Sequence, residues 1–580
     1  MVSVIRHLLI LCLMAFIIPF PIILSGQSLD VSGYFRSPVN FPLLLSGTYG
    51  EVRINHFHSG IDIRTGGVTG KPVYAAADGY VSRIYVSPWG FGKAIYINHQ
   101  AGYTTVYGHL DRFAPKIAPY ARDEQYSKES FAIDMMAPFR LIPVKQGELI
   151  GYSGNSGSSG GPHLHFEIRE LTTQDPLDPQ DLGIKAQDHI PPQIQGIKIY
   201  PKDAQSLINY SNQPIMLQAA IKGREYVVLS KDTVMLSGNI IFGIDAYDYH
   251  DSSSMKNGIK SIELWVDGMK VFGQRIGRFP FSDTRYSNSL LDYPQFRKNG
   301  QRIIRSYVVP GNKLKVFEGV QNRGMLTFTD RRTHRLQYVV KDVQGNESRL
   351  IFYVKSHPPA PGGIRPDESP SPENHFSWNE ANRFENDDIL FDMPAGALYE
   401  DIDFTYSKTP AIDGTITPLH ILHNTDIPVH TFCELSIRAD QLPEFLQSKA
   451  LVVRVEKDKK FVSAGGRMEE GYMTTRIREF GAYAVAVDTV APVVKSMNIF
   501  PGKNISKQST IVFKISDDLS GINSYRGTLN DKWILMEYDP KESSLTYRFD
   551  DRISTGRNQF HLMVTDGVGN ETEYSAELIR

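Results

Sequence analysis

Apolar and polar residues alternate in short runs between residues 73 and 169, and glycine-bearing turns separate these runs. Alternation with a period of two places successive side chains on opposite faces of a strand, so each run predicts a β-strand. The clearest runs are residues 80–86, 94–99, 104–107 and 163–169. We therefore expect this part of the chain to fold as a β-sheet domain.

One segment, residues 112–143, interrupts this pattern. Pro119 stands near a candidate helix start at Ala118, and good helix formers follow it up to Tyr126. A proline in the first turn followed by such residues is typical of a helix N-terminus. We interpret the segment as an inserted, partly helical surface loop.

The remainder of the chain contains an internal repeat. Residues 192–201 resemble residues 492–501, and each copy ends on a similar turn, at residues 342–348 and 566–572. We predict two related Ig-like β-sandwiches, 188–356 and 488–580. The Asp and Asn residues of the turns suit turn chemistry best, and glycosylation or calcium binding are the alternatives.

These patterns predict an all-β, multidomain chain. Its units are a β-domain at 45–171, the sandwich 188–356, a Pro-rich linker at 357–374, a β-rich domain of unknown class at 375–487, and the sandwich 488–580. A run of prolines makes an extended linker, which is why residues 357–374 are assigned as one.

The N-terminus has the features of a secretory signal peptide at residues 1–26, followed by an extension at 27–44. Arg6 precedes an apolar run, and small residues follow that run. An uncleaved membrane anchor is the alternative, and Pro19 and Pro21 argue against it because they interrupt a helix. We expect export to the periplasm or cell envelope, or secretion, with no stable membrane insertion after cleavage.

Charge and cysteine content bear on two further points, nucleic-acid binding and disulfide formation. The chain has 62 basic and 64 acidic residues, for a formal net charge of −2. No broad positive field favours nucleic acid, so we expect no nucleic-acid partner. Without the signal peptide Cys433 is the single cysteine, so no internal disulfide is expected.

Candidate chemistry is concentrated in three short motifs: His58-Ser-Gly-Ile-Asp62, Tyr107-Gly-His109-Leu, and Gly161-Pro-His163-Leu-His165-Phe-Glu167. Alternation along a strand places His163, His165 and Glu167 on one face, and an extended segment does the same for His58 and Asp62. A hydrolytic zinc ion takes three such ligands and keeps one position open. His56 and His99 lack this context, and we interpret them as structural or supporting residues.

These motifs, in this order, resemble those of the lysostaphin-type zinc endopeptidases, also called LytM-like peptidoglycan hydrolases, over roughly residues 47–170. The resemblance implies a compact, mostly antiparallel β-fold. It also implies that His58, Asp62 and His165 bind Zn²⁺ and that His109 and His163 act in catalysis. The segment 112–143 departs from the family pattern.

By this resemblance we predict an exported zinc metalloendopeptidase that hydrolyses peptide cross-links of peptidoglycan, with stem or cross-bridge peptides as its substrates. One alternative is a catalytically inactive envelope regulator of another cell-wall hydrolase. Another is a secreted adhesin in which the β-sandwiches have the main role. The sandwiches are also the candidate surfaces for envelope protein partners.

Overall fold

The computed structural model describes residues 33–230, 232–358 and 374–580. The predicted signal peptide, residues 27–32 of the extension and residues 359–373 of the linker lie outside this range. In the described residues strands dominate and helices are short, which confirms the all-β, multidomain fold class. Within the same residues, no helix combines the length and the apolar character needed to cross a membrane.

The first domain contains thirteen strands and one helix among the described residues. They are β1 (Leu45–Gly47), β2 (Val52–Arg53), β3 (His56–Phe57), β4 (Ile61–Arg64), β5 (Pro72–Tyr74), β6 (Gly79–Val86), β7 (Lys93–His99), β8 (Tyr103–Phe113), α1 (Ala118–Lys128), β9 (Ile133–Met136), β10 (Pro143–Val144), β11 (Leu149–Ser153), β12 (His163–Glu170) and β13 (Pro176–Leu177). The four predicted runs lie within β6, β7, β8 and β12, so these strand predictions are confirmed.

The main sheet of this domain has the order β1-β4-β12-β8-β7-β6-β10, while β2 and β3 form a separate ribbon. Its strands pair antiparallel. Alternate apolar side chains fill the core on one face, among them Ile63, Ile84, Ile97, Leu164 and Phe166, none of which is exposed. The central position of β12 between β4 and β8 brings together the strands that carry the motifs.

The segment 112–143 is partly helical, as predicted, but the interpretation as a surface loop needs correction. Beyond helix α1, strand β9 pairs antiparallel with β6 and so extends the sheet. Ala121, Phe131 and Ile133 are buried in the core of the domain. Burial of these apolar side chains anchors the segment to the domain, which a loop on the surface does not require.

The second domain contains two layers of strands. Its elements are β14 (Gln193–Pro201), β15 (Leu207–Ile208), β16 (Ile215–Lys222), β17 (Glu225–Val228), β18 (Val234–Tyr247), β19 (Ser261–Val266), β20 (Met269–Arg275), a 3₁₀ turn (Phe281–Tyr286), α2 (Ser287–Leu290), α3 (Tyr293–Asn299), β21 (Ile303–Arg305), a 3₁₀ turn (Asn322–Gly324), β22 (Leu326–Phe328), β23 (Thr333–Lys341) and β24 (Glu347–Ser356). The long strand β18 pairs with β14 in one layer and with β24 in the other, so it joins the two layers.

The third domain packs two five-stranded sheets, β26-β27-β31-β35-β34 and β29-β30-β36-β32-β33, with β25 and β28 as a separate pair. Its elements are β25 (His375–Phe376), β26 (Asn382–Glu385), β27 (Ile389–Met393), β28 (Ile402–Asp403), β29 (Tyr406–Thr409), β30 (Leu419–Leu422), β31 (Pro428–Arg438), α4 (Glu444–Gln447), β32 (Ala450–Val455), β33 (Phe461–Gly465), β34 (Arg467–Glu469), β35 (Tyr472–Glu479) and β36 (Gly481–Val487). Cys433 is buried and free.

The fourth domain is a sandwich of two four-stranded sheets, β37-β38-β42-β41 and β40-β39-β43-β44. Its strands are β37 (Val493–Ser496), β38 (Thr510–Ser516), β39 (Ile522–Leu529), β40 (Lys532–Trp533), β41 (Met536–Asp539), β42 (Ser544–Arg548), β43 (Arg557–Asp566) and β44 (Glu571–Ile579). Phe513 and Phe560 stack between the sheets with ring centroids 5.5 Å apart.

Candidate metal centre

Strand register explains why the three motifs meet. On β4 and β12, Asp62 and His165 are directly paired across the two strands. On the other side of β12, His165 pairs with Gly108 of β8, the residue before His109. Directly paired residues of neighbouring antiparallel strands have Cβ atoms about 4.5–5.5 Å apart. Two hydrogen-bonded strand pairs therefore bring motifs that are distant in sequence to a single point.

His58, Asp62 and His165 converge there, as the sequence predicts. Oδ1 of Asp62 lies 3.0 Å from Nε2 of His58 and 2.8 Å from Nδ1 of His165, and the two nitrogens are 3.1 Å apart. Ligands on a tetrahedral cation with bonds of about 2.0–2.1 Å are roughly 3.4 Å apart. The three atoms therefore need to move apart only slightly to hold a small divalent cation.

His58 reaches this point from a bend and not from a continuous strand. It follows the short strand β3 and precedes β4, so the predicted single extended segment is broken at residues 58–60. Gly60 makes the bend possible, because a Cβ atom there would lie 2.2 Å from the carbonyl oxygen of Phe166. The close approach of this bend to β12 brings His58 beside His165.

Each candidate ligand is oriented by a second partner. Nδ1 of His58 donates to the carbonyl oxygen of Thr48 (2.8 Å), and Nε2 of His165 lies 2.8 Å from Oε1 of Glu167. Nη2 of Arg53 donates to Oδ2 of Asp62 (3.0 Å). Such outer partners fix the imidazole tautomer and turn a defined nitrogen toward a metal.

The buried charges of the centre shift its pKa values. Burial alone would raise the pKa of Asp62, but His58, His163 and His165 outweigh burial and hold this pKa well below its usual value. Burial alone would lower the pKa of His165, but hydrogen bonds to Asp62 and Glu167 outweigh it and raise this pKa to about 9. Asp62 is therefore ionised at neutral pH, and a cation must displace a proton from His165 to bind.

His109 and His163, the predicted catalytic residues, stand beside this ligand set. Nδ1 of His109 donates to the carbonyl oxygen of Ser156 (2.9 Å), and Nδ1 of His163 donates to that of Gly161 (2.8 Å). Their ring centroids are 4.8 Å apart. In both rings Nδ1 is bonded to a backbone carbonyl, and Nε2 of His163 lies 3.4 Å from Oδ1 of Asp62.

The protonation state of His109 follows from its surroundings. Burial, and then the nearby His165 and His163, lower the pKa of His109 to about 3. The ring is therefore neutral at pH 7, with its proton on Nδ1 and a lone pair on Nε2. Its backbone is left-handed (φ 58°), a conformation that costs a non-glycine residue of order 1–3 kcal/mol. The fold holds His109 in this strained position at the point where β8 approaches the centre.

The polar face of β12 is covered along much of its length, which alternation alone does not show. Glu167 is fully buried and Arg169 is nearly so. Nε of Arg169 donates to Oε2 of Glu167 (2.5 Å), and its guanidinium lies 4.5 Å from the ring centroid of Phe281, in the second domain. Only the His163 end of this face remains partly open to solvent.

The glycine-rich loop at residues 154–161 lines the same end of the site. It accepts the hydrogen bonds of His109 and His163 described above, and Oγ of Ser159 lies 3.2 Å from Nδ1 of His163. Nζ of Lys541, in the fourth domain, donates to the carbonyl oxygens of Asn155 and Ser159. The C-terminal sandwich therefore contacts the loop that positions both histidines.

His56 and His99 lie apart from the ligand set, in keeping with the supporting role assigned to them. His56 is exposed in β3, and its Nδ1 lies 2.9 Å from the carbonyl oxygen of Ile54. His99 is buried, with Nε2 2.8 Å from Oγ1 of Thr105. Neither residue belongs to the group of candidate ligands formed by His58, Asp62 and His165.

Comparison with known families identifies this part of the chain. Residues 56–122 and 142–179 match the model of Peptidase family M23. This part of the chain is similar to M23 peptidases and is called the M23 domain below. The match omits residues 123–141, which lie within the segment that departs from the motif pattern. A second model, that of the Zu5-like domain, matches residues 373–488 of the third domain.

Curated relatives match a minor part of this chain. An uncharacterized metalloprotease of Haemophilus influenzae is 34% identical over 150 residues, which are 25% of this chain and 26% of that protein. The DD-carboxypeptidase/endopeptidase Mpg of Neisseria meningitidis is 33% identical over 112 residues, 19% of this chain and 20% of that protein. The peptidoglycan DD-endopeptidase ShyC of Vibrio cholerae is 30% identical over 158 residues, 25% and 30% respectively. The chain thus spans about a quarter of the length of the relatives it matches.

The sequence analysis did not assign roles to three residues that orient the ligands, Thr48, Arg53 and Glu167. A signal for Glu167 was present, because alternation along β12 places it on the face of His165. Thr48 acts through its backbone carbonyl, which no residue type reveals. Arg53 reaches Asp62 because β2 folds back on β3, a pairing of only two residues on each strand.

Proposed function

We propose that this chain is an exported, zinc-dependent endopeptidase that hydrolyses peptide cross-links of peptidoglycan. One observation carries the proposal: the three atoms Nε2 of His58, Oδ1 of Asp62 and Nδ1 of His165 lie within 3.1 Å of one another, beside two histidines whose Nδ1 atoms are bonded to backbone carbonyls. The membership of the domain in a metallopeptidase family supports it. Export rests on the predicted signal peptide.

The donor set fits zinc. Two imidazole nitrogens and one carboxylate oxygen are ligands that zinc takes in hydrolytic sites, which leave a fourth position open. Zinc bound by His58, Asp62 and His165 supplies Lewis acidity to a water molecule and to a scissile carbonyl. The hydrogen bonds that His58 donates to the carbonyl oxygen of Thr48 and that His165 makes with Glu167 hold the two imidazoles in the required orientation.

The remaining histidines move protons. His109 carries its proton on Nδ1, bound to Ser156, so the lone pair of Nε2 can accept a hydrogen bond from the attacking water. His163 has the same arrangement through Gly161. A histidine that has accepted a proton can donate it to the leaving amine or stabilise an oxyanion. The two rings, 4.8 Å apart, lie close enough to share these tasks.

The substrate class comes from the relatives. Two of them are named for endopeptidase activity, and the name of the Vibrio cholerae protein specifies peptidoglycan. Because the aligned region is a minor part of each protein, the cleaved bond in this chain is left to experiment. A catalytically inactive regulator is the second candidate, but the presence of all five site residues in a converged arrangement favours the enzyme.

The test is digestion of purified sacculi by the chain without its signal peptide. We expect release of uncross-linked peptides with zinc, none after chelation, and recovery when zinc is restored. His56→Ala is the matched control, since His56 is a neighbouring exposed histidine outside the ligand set, and it should behave as the parent. Unchanged cross-links in a chain with zinc bound to His58, Asp62 and His165 would contradict the proposal.

A further inference from the structure

A second group of candidate ligands, the junction cluster, lies where the M23 domain meets the second domain. It consists of Asp188, in the segment between β13 and β14, and of Asp248 and His250, which follow β18. One ligand atom from each residue lies within 4.8 Å of the other two. The side chains of Asp188, Asp248 and His250 are at most 1% exposed.

Polar atoms of all three side chains lack a protein partner. Among the described residues, Oδ2 of Asp188, Oδ1 of Asp248 and Nδ1 of His250 are buried and accept or donate no hydrogen bond. An unsatisfied buried polar atom costs about 1–3 kcal/mol, and more when it is charged. Each of the three side chains therefore has a buried polar atom for which a bound ion is a candidate partner.

No cationic side chain of the described residues neutralises these carboxylates. Lys260, which lines the same small cavity as Asp248 and His250, has its Nζ bound to Asp178 (2.7 Å) and Asp181 (2.8 Å). Asp342 adds a third carboxylate next to the cluster. The surroundings thus favour the arrival of positive charge.

The internal repeat supplies a comparison within the same chain. The fourth domain has a similar group, Asp488, Asp517 and Asp566. There the carboxylates are satisfied by backbone amides: those of Val490 and Ser520 donate to Asp488, that of Gly521 to Asp517, and those of Val568 and Asn570 to Asp566. The described residues of this group contribute no unpaired buried oxygen.

The two copies share the turn that supports the cluster. Nδ2 of Asn346 donates to the carbonyl oxygen of Asp188 and to Oδ2 of Asp342, and Nδ2 of Asn570 donates to the same atoms of Asp488 and Asp566. The scaffold is therefore the same in both domains. The two domains differ in one loop. The loop after β38 in the fourth domain supplies backbone amides, whereas the segment after β18 in the second domain supplies His250.

We propose that Asp188, Asp248 and His250 bind a structural divalent cation of the zinc class, separate from the catalytic centre. A mixed set of carboxylates and imidazole suits zinc or manganese better than calcium, which prefers oxygen ligands alone. Nε2 of His250 lies 3.9 Å from Oδ2 of Asp188 and 3.7 Å from Oδ2 of Asp248. These separations are close to the roughly 3.4 Å between ligands on a tetrahedral zinc ion.

Full burial assigns the cation a structural role, because no substrate can reach it. It would tie the segment that leaves the M23 domain, through Asp188, to strand β18 of the second domain. The cation would therefore fix the position of the second domain, whose Phe281 covers Arg169 of the catalytic strand.

The experiment counts bound metal in the full mature chain carrying His165→Ala, which removes a ligand of the catalytic centre. The protein is stripped with chelator, incubated with Zn²⁺ in the presence of excess Ca²⁺, dialysed and analysed by mass spectrometry for metals. We expect one zinc per chain to remain. Adding Asp248→Asn together with His250→Ala should remove it, whereas the matched Asp517→Asn should retain it.

A second measurement, the Tm of thermal unfolding with and without Zn²⁺, tests the proposal even if one variant folds poorly. Zn²⁺ should raise the Tm of the His165→Ala chain but not of the same chain with Asp248→Asn. Without metal, the added Asp248→Asn should leave Tm nearly unchanged, because asparagine keeps the shape of the side chain. Absence of zinc from the His165→Ala chain, zinc retained after loss of both Asp248 and His250, or retention of Ca²⁺ in place of Zn²⁺ would each overturn the proposal.

Discussion

The candidate metal centre formed by His58, Asp62 and His165 and the junction cluster use the same side-chain types but differ in what surrounds them. In the centre, Asp62 and His165 have outer partners, and His163 remains 16% exposed beside them. In the junction cluster no side chain is more than 1% exposed, and several polar atoms have no partner. Ligand type alone therefore does not indicate hydrolysis; accessible histidines beside the ligands do.

The largest expected effect comes from removing a ligand of the centre. His165→Ala should lose the catalytic zinc and lower the rate of sacculus digestion by about a thousandfold or more, since Lewis acidity contributes several kcal/mol to the barrier. Metal analysis and peptide release measure the two effects. Undiminished digestion by this variant would show that the comparison misplaces the active centre.

A smaller effect should follow removal of an accessible histidine. His163→Ala should retain zinc, because its ring is not in the ligand set, and should lower kcat about 10²- to 10⁴-fold through loss of proton transfer. The measurement is kcat together with zinc content. Loss of zinc along with activity would show that His163 is a ligand. It would then not differ in role from the ligands His58 and His165.

Removing a residue that orients a ligand, such as Glu167 beside His165, should have a smaller effect on zinc binding. Glu167→Gln keeps the shape of the side chain but removes the charge that faces Nε2 of His165. We expect zinc affinity to fall about 10- to 100-fold, the usual effect of such partners. Competition with a chromophoric chelator measures this affinity. An unchanged affinity would mean that the hydrogen bond to Glu167 does not prepare His165 for the metal.

The smallest expected effect is the dependence of zinc affinity on pH. In the metal-free protein the pKa of His165 is raised to about 9, so the ring is protonated at pH 7 and must lose its proton when zinc binds. Zinc affinity should therefore rise with pH up to about 9. Calorimetry in two buffers of different ionisation enthalpy should detect release of about one proton at pH 7. No proton release would contradict the charge arrangement around His165.

Sequence reasoning predicted those parts of the site that depend on local pattern. Alternation predicted a strand with His163 and His165 on one face, and the structure has a continuous strand, β12, at these residues. The convergence of His58 with His165 depends on the bend at Gly60 and on strand order, neither of which is encoded by residue spacing. The ligand roles came from family resemblance and not from the pattern.

The junction cluster shows where prediction from sequence stops. Asp188 and Asp248 are 60 positions apart, and turn residues of this type are common on protein surfaces. Their burial depends on the packing of two domains against one another. The helix within 112–143 was predicted from its proline and helix formers, but its attachment to the core through Phe131 depends on tertiary contacts.

The central claim is that His58, Asp62 and His165 together hold the zinc ion used in hydrolysis. The most direct test is a crystal structure of the zinc-loaded chain with anomalous scattering recorded at the zinc edge. We predict a strong peak bonded to Nε2 of His58, Oδ1 of Asp62 and Nδ1 of His165, at about 2.0–2.2 Å from each. A zinc-saturated crystal with no peak among these three atoms would contradict it.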